Sequence, residues 1–120
     1  MILADTSIWV DHLRRGEVRL AELLRAQAVL GHPWVTGEIS LGALRSRAEV
    51  LGLLGRLPQA QIATDTEMLA LIDGRELHGR GIGWVDVQLL AAALLTPRAR
   101  LWTRDRPLAR AAAQLGVAAD

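Results

Sequence analysis

Five residue types are missing from the 120-residue chain: cysteine, lysine, asparagine, phenylalanine and tyrosine. Without cysteine there is no disulfide, thiolate zinc site or cysteine nucleophile, and a reducing compartment suits such a chain. Without lysine there is no P-loop, whose chemistry requires that residue. Long apolar runs are also lacking. The longest, Leu89 to Leu95, falls far short of the roughly 20 residues of a membrane span. The opening Met1-Ile2-Leu3-Ala4-Asp5 has neither a basic n-region nor a signal-peptide core, so a cytoplasmic protein with no membrane partner is expected.

What is present describes an ordinary folded domain. Charged residues make up 22% and apolar residues 51%, with a formal net charge of +1, which argues against disorder. The length suits one domain over residues 1–120, able to bury about two-thirds of its unfolded surface without staples. All fourteen basic residues are arginine, a bias that a GC-rich genome explains by itself.

Short apolar runs alternate with helical patterns. Met1–Ala4 reads as a buried strand, with Thr6 or Ser7 capping the helix after it. Ala28–Leu30 and Ala99–Trp102 read as further strands, Trp34-Val35 as a short extended piece before a helix capped by Thr36, and Gln61–Ala63 as another strand. Helices are expected over about 47–57, from Asp65 or Thr66 through Leu77, over about 85–95 and over 108–115. The result is an α/β domain with a central parallel sheet of four to five short strands flanked by helices.

Ligands of such sheets bind beyond the carboxyl ends of the strands. The residues expected there are acidic: Asp5, Glu38, Asp86 and Asp105. Taken singly, each aspartate reads as a helix cap, stabilising by about 1 kcal/mol. Together at one edge they would repel one another, and a hard divalent cation, Mg²⁺ or Mn²⁺, is the usual reason to keep such a cluster. Such an ion polarises a phosphoryl group and activates water.

These same residues carry a resemblance. Ile2-Leu3-Ala4-Asp5-Thr6-Ser7-Ile8-Trp9-Val10-Asp11, Glu38-Ile39-Ser40-Leu41-Gly42, Gly83 to Ala93 around Asp86, and Trp102-Thr103-Arg104-Asp105 resemble, in order and spacing, the segments of a PIN-domain ribonuclease of the VapC toxin type. The resemblance implies an Mg²⁺- or Mn²⁺-dependent endoribonuclease that cuts structured RNA (tRNA or rRNA) by in-line attack of a metal-activated water. It implies Asp5 and Asp86 as the principal metal ligands, Glu38 and Asp105 as completing the cluster, and Ser7 or Thr103 as orienting a carboxylate or water. It also implies a VapB-type antitoxin as partner, a homodimer, and DNA contact only through the antitoxin. One departure stands after the last acid, where the family often continues to a Phe and this chain has Arg106-Pro107-Leu108.

Other motifs carry less. Gly79-x-Gly81-x-Gly83 lacks dinucleotide-loop spacing and reads as a hinge before Asp86. A response-regulator receiver is opposed by the missing lysine. His12, His32 and His78 read as solvent-facing or turn residues. Arg98, Arg100, Arg104, Arg106 and Arg110 read as a solvated face, or alternatively as a group in which Arg104 and Arg106 grip RNA phosphates. The four tryptophans are expected in the core, with Trp84 the one placed to stack on a base. The competing function is a PIN-fold binding protein without turnover, acting through antitoxin or RNA.

Overall fold

In a computed structural model, which describes residues 1–119, Ile2, Leu3 and Ala4 form β1 (Ile2–Ala4). It lies between β2 (Val29–Leu30) and β3 (Arg100–Trp102), and both pairings are parallel. Leu3 sits opposite Leu30 and Leu101, so each strand contributes apolar side chains to one buried layer. Continuous apolar runs of this kind are what a sheet covered on both faces requires.

Seven helices surround this sheet among the described residues: α1 (Thr6–Arg15), α2 (Val18–Arg25), α3 (Pro33–Ser40), α4 (Arg47–Arg56), α5 (Asp65–Arg75), α6 (Trp84–Leu95) and α7 (Arg106–Gln114). The deepest is α6, in which every residue from Val87 to Ala93 is buried. Leu90, fully buried there, would cost about 2–5 kcal/mol if cut to alanine.

Among the described residues, the expected four to five strands are three. A single parallel bridge extends the sheet at each edge, Gly31 to Gln59 and Leu101 to Ala118. Gln61–Ala63 is not a strand because side chains take its backbone donors: Thr96 Oγ1 accepts from Gln61 N at 2.9 Å, and Gln88 Oε1 from Ala63 N at 2.8 Å. Trp34 and Val35 are helical, since Pro33 occupies the first turn of α3 and His32, not Thr36, is its cap. The cap of α5 is Thr64, which forms a reciprocal capping box with Glu67. Gly31 is fixed by its neighbours, because a Cβ there would stand 2.5 Å from Gln59 Nε2 and 3.1 Å from Leu54 O.

His32 is another correction, being buried rather than solvent-facing. Its Nδ1 accepts from Trp34 N at 3.0 Å, which leaves Nε2 as the proton-bearing nitrogen, 3.3 Å from Gln88 Oε1. Gln88 also donates to Ala63 O at 3.0 Å, so a wholly buried amide and imidazole tie α3, α6 and the segment before α5 together. Burial lowers the His32 pKa and the Gln88 bond opposes this in part. Of the tryptophans, Trp9 and Trp102 are in the core, Trp34 is partly buried, and Trp84 is 44% exposed.

Candidate active site

Each strand runs at its carboxyl end directly into the start of a helix. Asp5 follows β1 and caps α1, His32 caps α3 after β2, and Asp105 caps α7 after β3. Three helix N-termini, each carrying partial positive charge, therefore face the same edge as the acids. Asp5 and Asp105 are caps, as their individual readings suggested. Asp86 is not, because Gly83 holds the cap position of α6 and Asp86 lies in the first turn.

Asp5 is 6% exposed, and its carboxylate is nearly saturated. Its Oδ1 accepts from Ser7 Oγ at 2.6 Å and from Ile8 N at 3.1 Å. The Thr103 hydroxyl donates to Oδ2, which leaves one lone pair on that oxygen open. Thr103 Oγ1 in turn accepts from Asp105 N at 3.0 Å. Asp105 Oδ2 accepts from Leu108 N at 3.0 Å, with Pro107 accommodated in the first turn of α7. Pro107 thus leaves the cap intact, and Leu108 is buried in the core.

Glu38, on the exposed side of α3, accepts from the Thr6 hydroxyl at 2.5 Å through Oε1. Thr6 entered the sequence reading only as a cap, and its position beside Asp5 at the strand end was the available signal. Asp86 is coupled to the other three acids by like-charge repulsion. Burial raises its pKa, a hydrogen bond with the Gly83 backbone opposes this, and the charges of Asp105, Asp5 and Glu38 raise it further. The four acids therefore share one field.

None of the four forms an ion pair among the described residues. The recorded pairs use Asp11 and Glu17 instead. Arg104 spans those two acids, with Nη1 2.8 Å from Asp11 Oδ2 and Nη2 2.5 Å from Glu17 Oε2. Its guanidinium also lies 5.7 Å from the centre of the Trp102 ring, while Arg19 lies 4.7 Å from it. Arg106, at the start of α7, is exposed. Among the described residues, no three carboxylates or imidazoles stand close enough to be direct ligands of one ion. Hydroxyls from Ser7, Thr6 and Thr103 share the negative charge of Asp5 and Glu38.

A cleft of about 450 Å³ opens beside Glu38, between Val10, Leu13 and Arg14 of α1 and the Gly42–Arg45 turn. No helix of the described residues is long and apolar enough to cross a membrane.

Comparison with known proteins identifies the family. The family described as PIN domain matches residues 2–114. Two relatives, both called Ribonuclease VapC32, come from Mycobacterium tuberculosis strains CDC 1551 / Oshkosh and ATCC 25618 / H37Rv. Each is 48% identical over 118 residues, covering 98% of this chain and 95% of the relative. The chain belongs to the PIN-domain family and, within it, to the VapC type.

Proposed function

We propose that this protein is the toxin of a toxin–antitoxin pair, and that it is a Mg²⁺- or Mn²⁺-dependent endoribonuclease acting on structured RNA such as tRNA or rRNA. One observation carries the reading: the charges of Asp105, Asp5 and Glu38 all act on the Asp86 carboxyl and raise its pKa, while none of the four acids forms an ion pair among the described residues. Such a cluster, built from oxygen donors alone, suits a hard divalent ion. The names of the VapC32 relatives support RNA as the substrate.

Asp5 and Asp86 would be the residues that hold the ion. Glu38 and Asp105 would complete the acidic cluster through water, in keeping with Mg²⁺ usually retaining several waters. When bound, the ion supplies Lewis-acid polarisation of the phosphoryl group and lowers the pKa of water. The chain's own part is orientation. Ser7 and Thr103 fix the Asp5 carboxylate, and Thr6 fixes Glu38. Hydrolysis leaves a 5′-phosphate and a 3′-hydroxyl with no covalent enzyme intermediate. Arg106, with Arg104, contacts RNA phosphates.

The whole chain, residues 1–120, is one catalytic domain of a cytoplasmic homodimer. Its partner is a VapB-type antitoxin, through which any DNA contact is made. The test is incubation of total tRNA and rRNA with purified protein, with and without chelator, alongside Asp86→Asn. Discrete cleavage that requires both metal and Asp86 supports the enzyme. Binding of RNA without cleavage under any metal condition supports a PIN-fold binding protein instead.

A further inference from the structure

Three of the four acids are joined to other elements by hydroxyls. Thr103 links Asp5 to Asp105, and Thr6 of α1 holds Glu38 of α3. Asp86 has no such tie among the described residues, its carboxylate bonding only to the Gly83 backbone at the start of its own helix. Yet Asp105, Asp5 and Glu38 all repel it. Where Asp86 stands therefore depends on where α6 stands.

Apolar contact is non-directional, whereas hydrogen bonds fix both the distance and the register of the elements they join. From Val87 to Ala93, α6 is buried and apolar with one exception, Gln88. Every hydrogen-bonding position of that amide is used. Its Oε1 accepts from Ala63 N at 2.8 Å and faces His32 Nε2 at 3.3 Å. Its Nε2 donates to Ala63 O at 3.0 Å and to Met68 Sδ at 3.2 Å.

His32 is equally committed, since its Nδ1 caps the helix that carries Glu38. Both side chains are 0% exposed. A polar pair at this depth is costly unless every partner is present, and a complete network locks its members in place. The bridge stands two residues along α6 from Asp86 and six along α3 from Glu38.

We infer that His32 and Gln88 are positioning residues for the acidic cluster: their bridge holds α6 to α3 and keeps Asp86 in place against the repulsion of the other acids. The inference rests on the reading of that cluster as a metal site. With the bridge cut, Asp86 is free to move away from the other acids, and binding then includes the work of bringing it back.

Calorimetric titration of Mn²⁺ into the metal-free full chain tests this without RNA, on variants that circular dichroism shows to be folded. Gln88→Leu removes the bridge entirely. His32→Asn removes it while keeping a good cap for α3, because Asn ranks high at that position but is too short to reach Gln88. Leu20→Ala, in the core under α2, controls for lost stability. Each bridge variant should bind Mn²⁺ about tenfold more weakly than wild type, the low end for outer supports of metal ligands, and Leu20→Ala should bind as wild type does. If Gln88→Leu fails to fold, His32→Asn carries the test alone. Wild-type affinity in the folded bridge variants overturns this inference and leaves the metal reading standing. So does an equal loss in Leu20→Ala. Absence of Mn²⁺ binding by the wild type overturns the metal reading and this inference with it.

Discussion

The hydroxyl of Thr103 donates to Oδ2 of Asp5, 98 positions earlier in the chain, and accepts from the backbone N–H of Asp105 at 3.0 Å. One small side chain thereby sets two of the acids relative to each other across β1 and β3. Thr103→Val removes the hydroxyl and keeps the shape. It is expected to lose about 1.5–3 kcal/mol of stability in urea unfolding, the range for a bond to a charged acceptor. RNA cleavage should fall by about 10–100-fold, as for other supports of metal ligands. Thr103→Ser should keep both close to wild type, whereas a Val variant indistinguishable from wild type would remove Thr103 from the site.

Asp86 gives the site a distinctive pH dependence. Its pKa in the folded chain is raised above the ordinary value of 3.8, first by burial and then by Asp105, Asp5 and Glu38. A raised folded pKa adds stability below the unfolded value, and this is lost as pH rises through the folded value. At neutral pH without metal, the ionised Asp86 therefore opposes folding. Asp86→Asn should be more stable than wild type at pH 7, and its advantage should shrink towards pH 4. Urea midpoints at the two pH values decide this, and an Asn variant that is less stable at neutral pH contradicts it.

How much of this was legible depended on distance along the chain. Asp5 and Asp105 were legible because a short apolar strand followed by an acid marks the carboxyl end of a parallel strand. Glu38 was found for a partly wrong reason, since it follows no strand and stands on a helix begun by Pro33. Asp86 was visible as a lone acid in an apolar helix. Gln88, two residues further on, carried the same signal and went unread, because its partners His32 and Ala63 are 56 and 25 positions away. The supposed strand over Gln61–Ala63 failed for the same reason: its donors bond to Thr96 and Gln88, which only the tertiary fold brings near.

The His32–Gln88 pair carries its own prediction. His32 is neutral in the fold, with a pKa lowered chiefly by burial from 6.5. Its contribution is present above pH 6.5 and lost as pH falls through the lower folded value. Stability should decline from pH 7 to 5 more steeply in wild type than in His32→Gln. Gln88→Leu leaves the Ala63 N–H without its buried acceptor and should cost about 2–3 kcal/mol at any pH in this range. Parallel pH profiles for wild type and His32→Gln would show that His32 is not the titrating group.

Arg104 and Arg106 should separate in RNA binding. Arg104 is already held by Asp11 and Glu17, so a phosphate gains its full charge only by displacing them. Arg106 is exposed at the start of α7. Arg106→Ala should reduce the slope of log affinity against log salt by about one, and Arg104→Ala should reduce it less. Binding by Asp86→Asn protein, which is expected not to cut, gives the slopes directly. Equal and unchanged slopes would assign both arginines to the surface alone.

The central claim is that Asp5 and Asp86, 81 positions apart, hold one divalent ion. Calorimetric titration of Mn²⁺ into wild-type, Asp5→Asn and Asp86→Asn protein tests it without any RNA. Mn²⁺ binding by wild type that either substitution weakens by roughly tenfold or more, equivalent to at least about 1.4 kcal/mol, is the predicted result. Wild-type binding that persists in both variants, or no binding by the wild type, would contradict it.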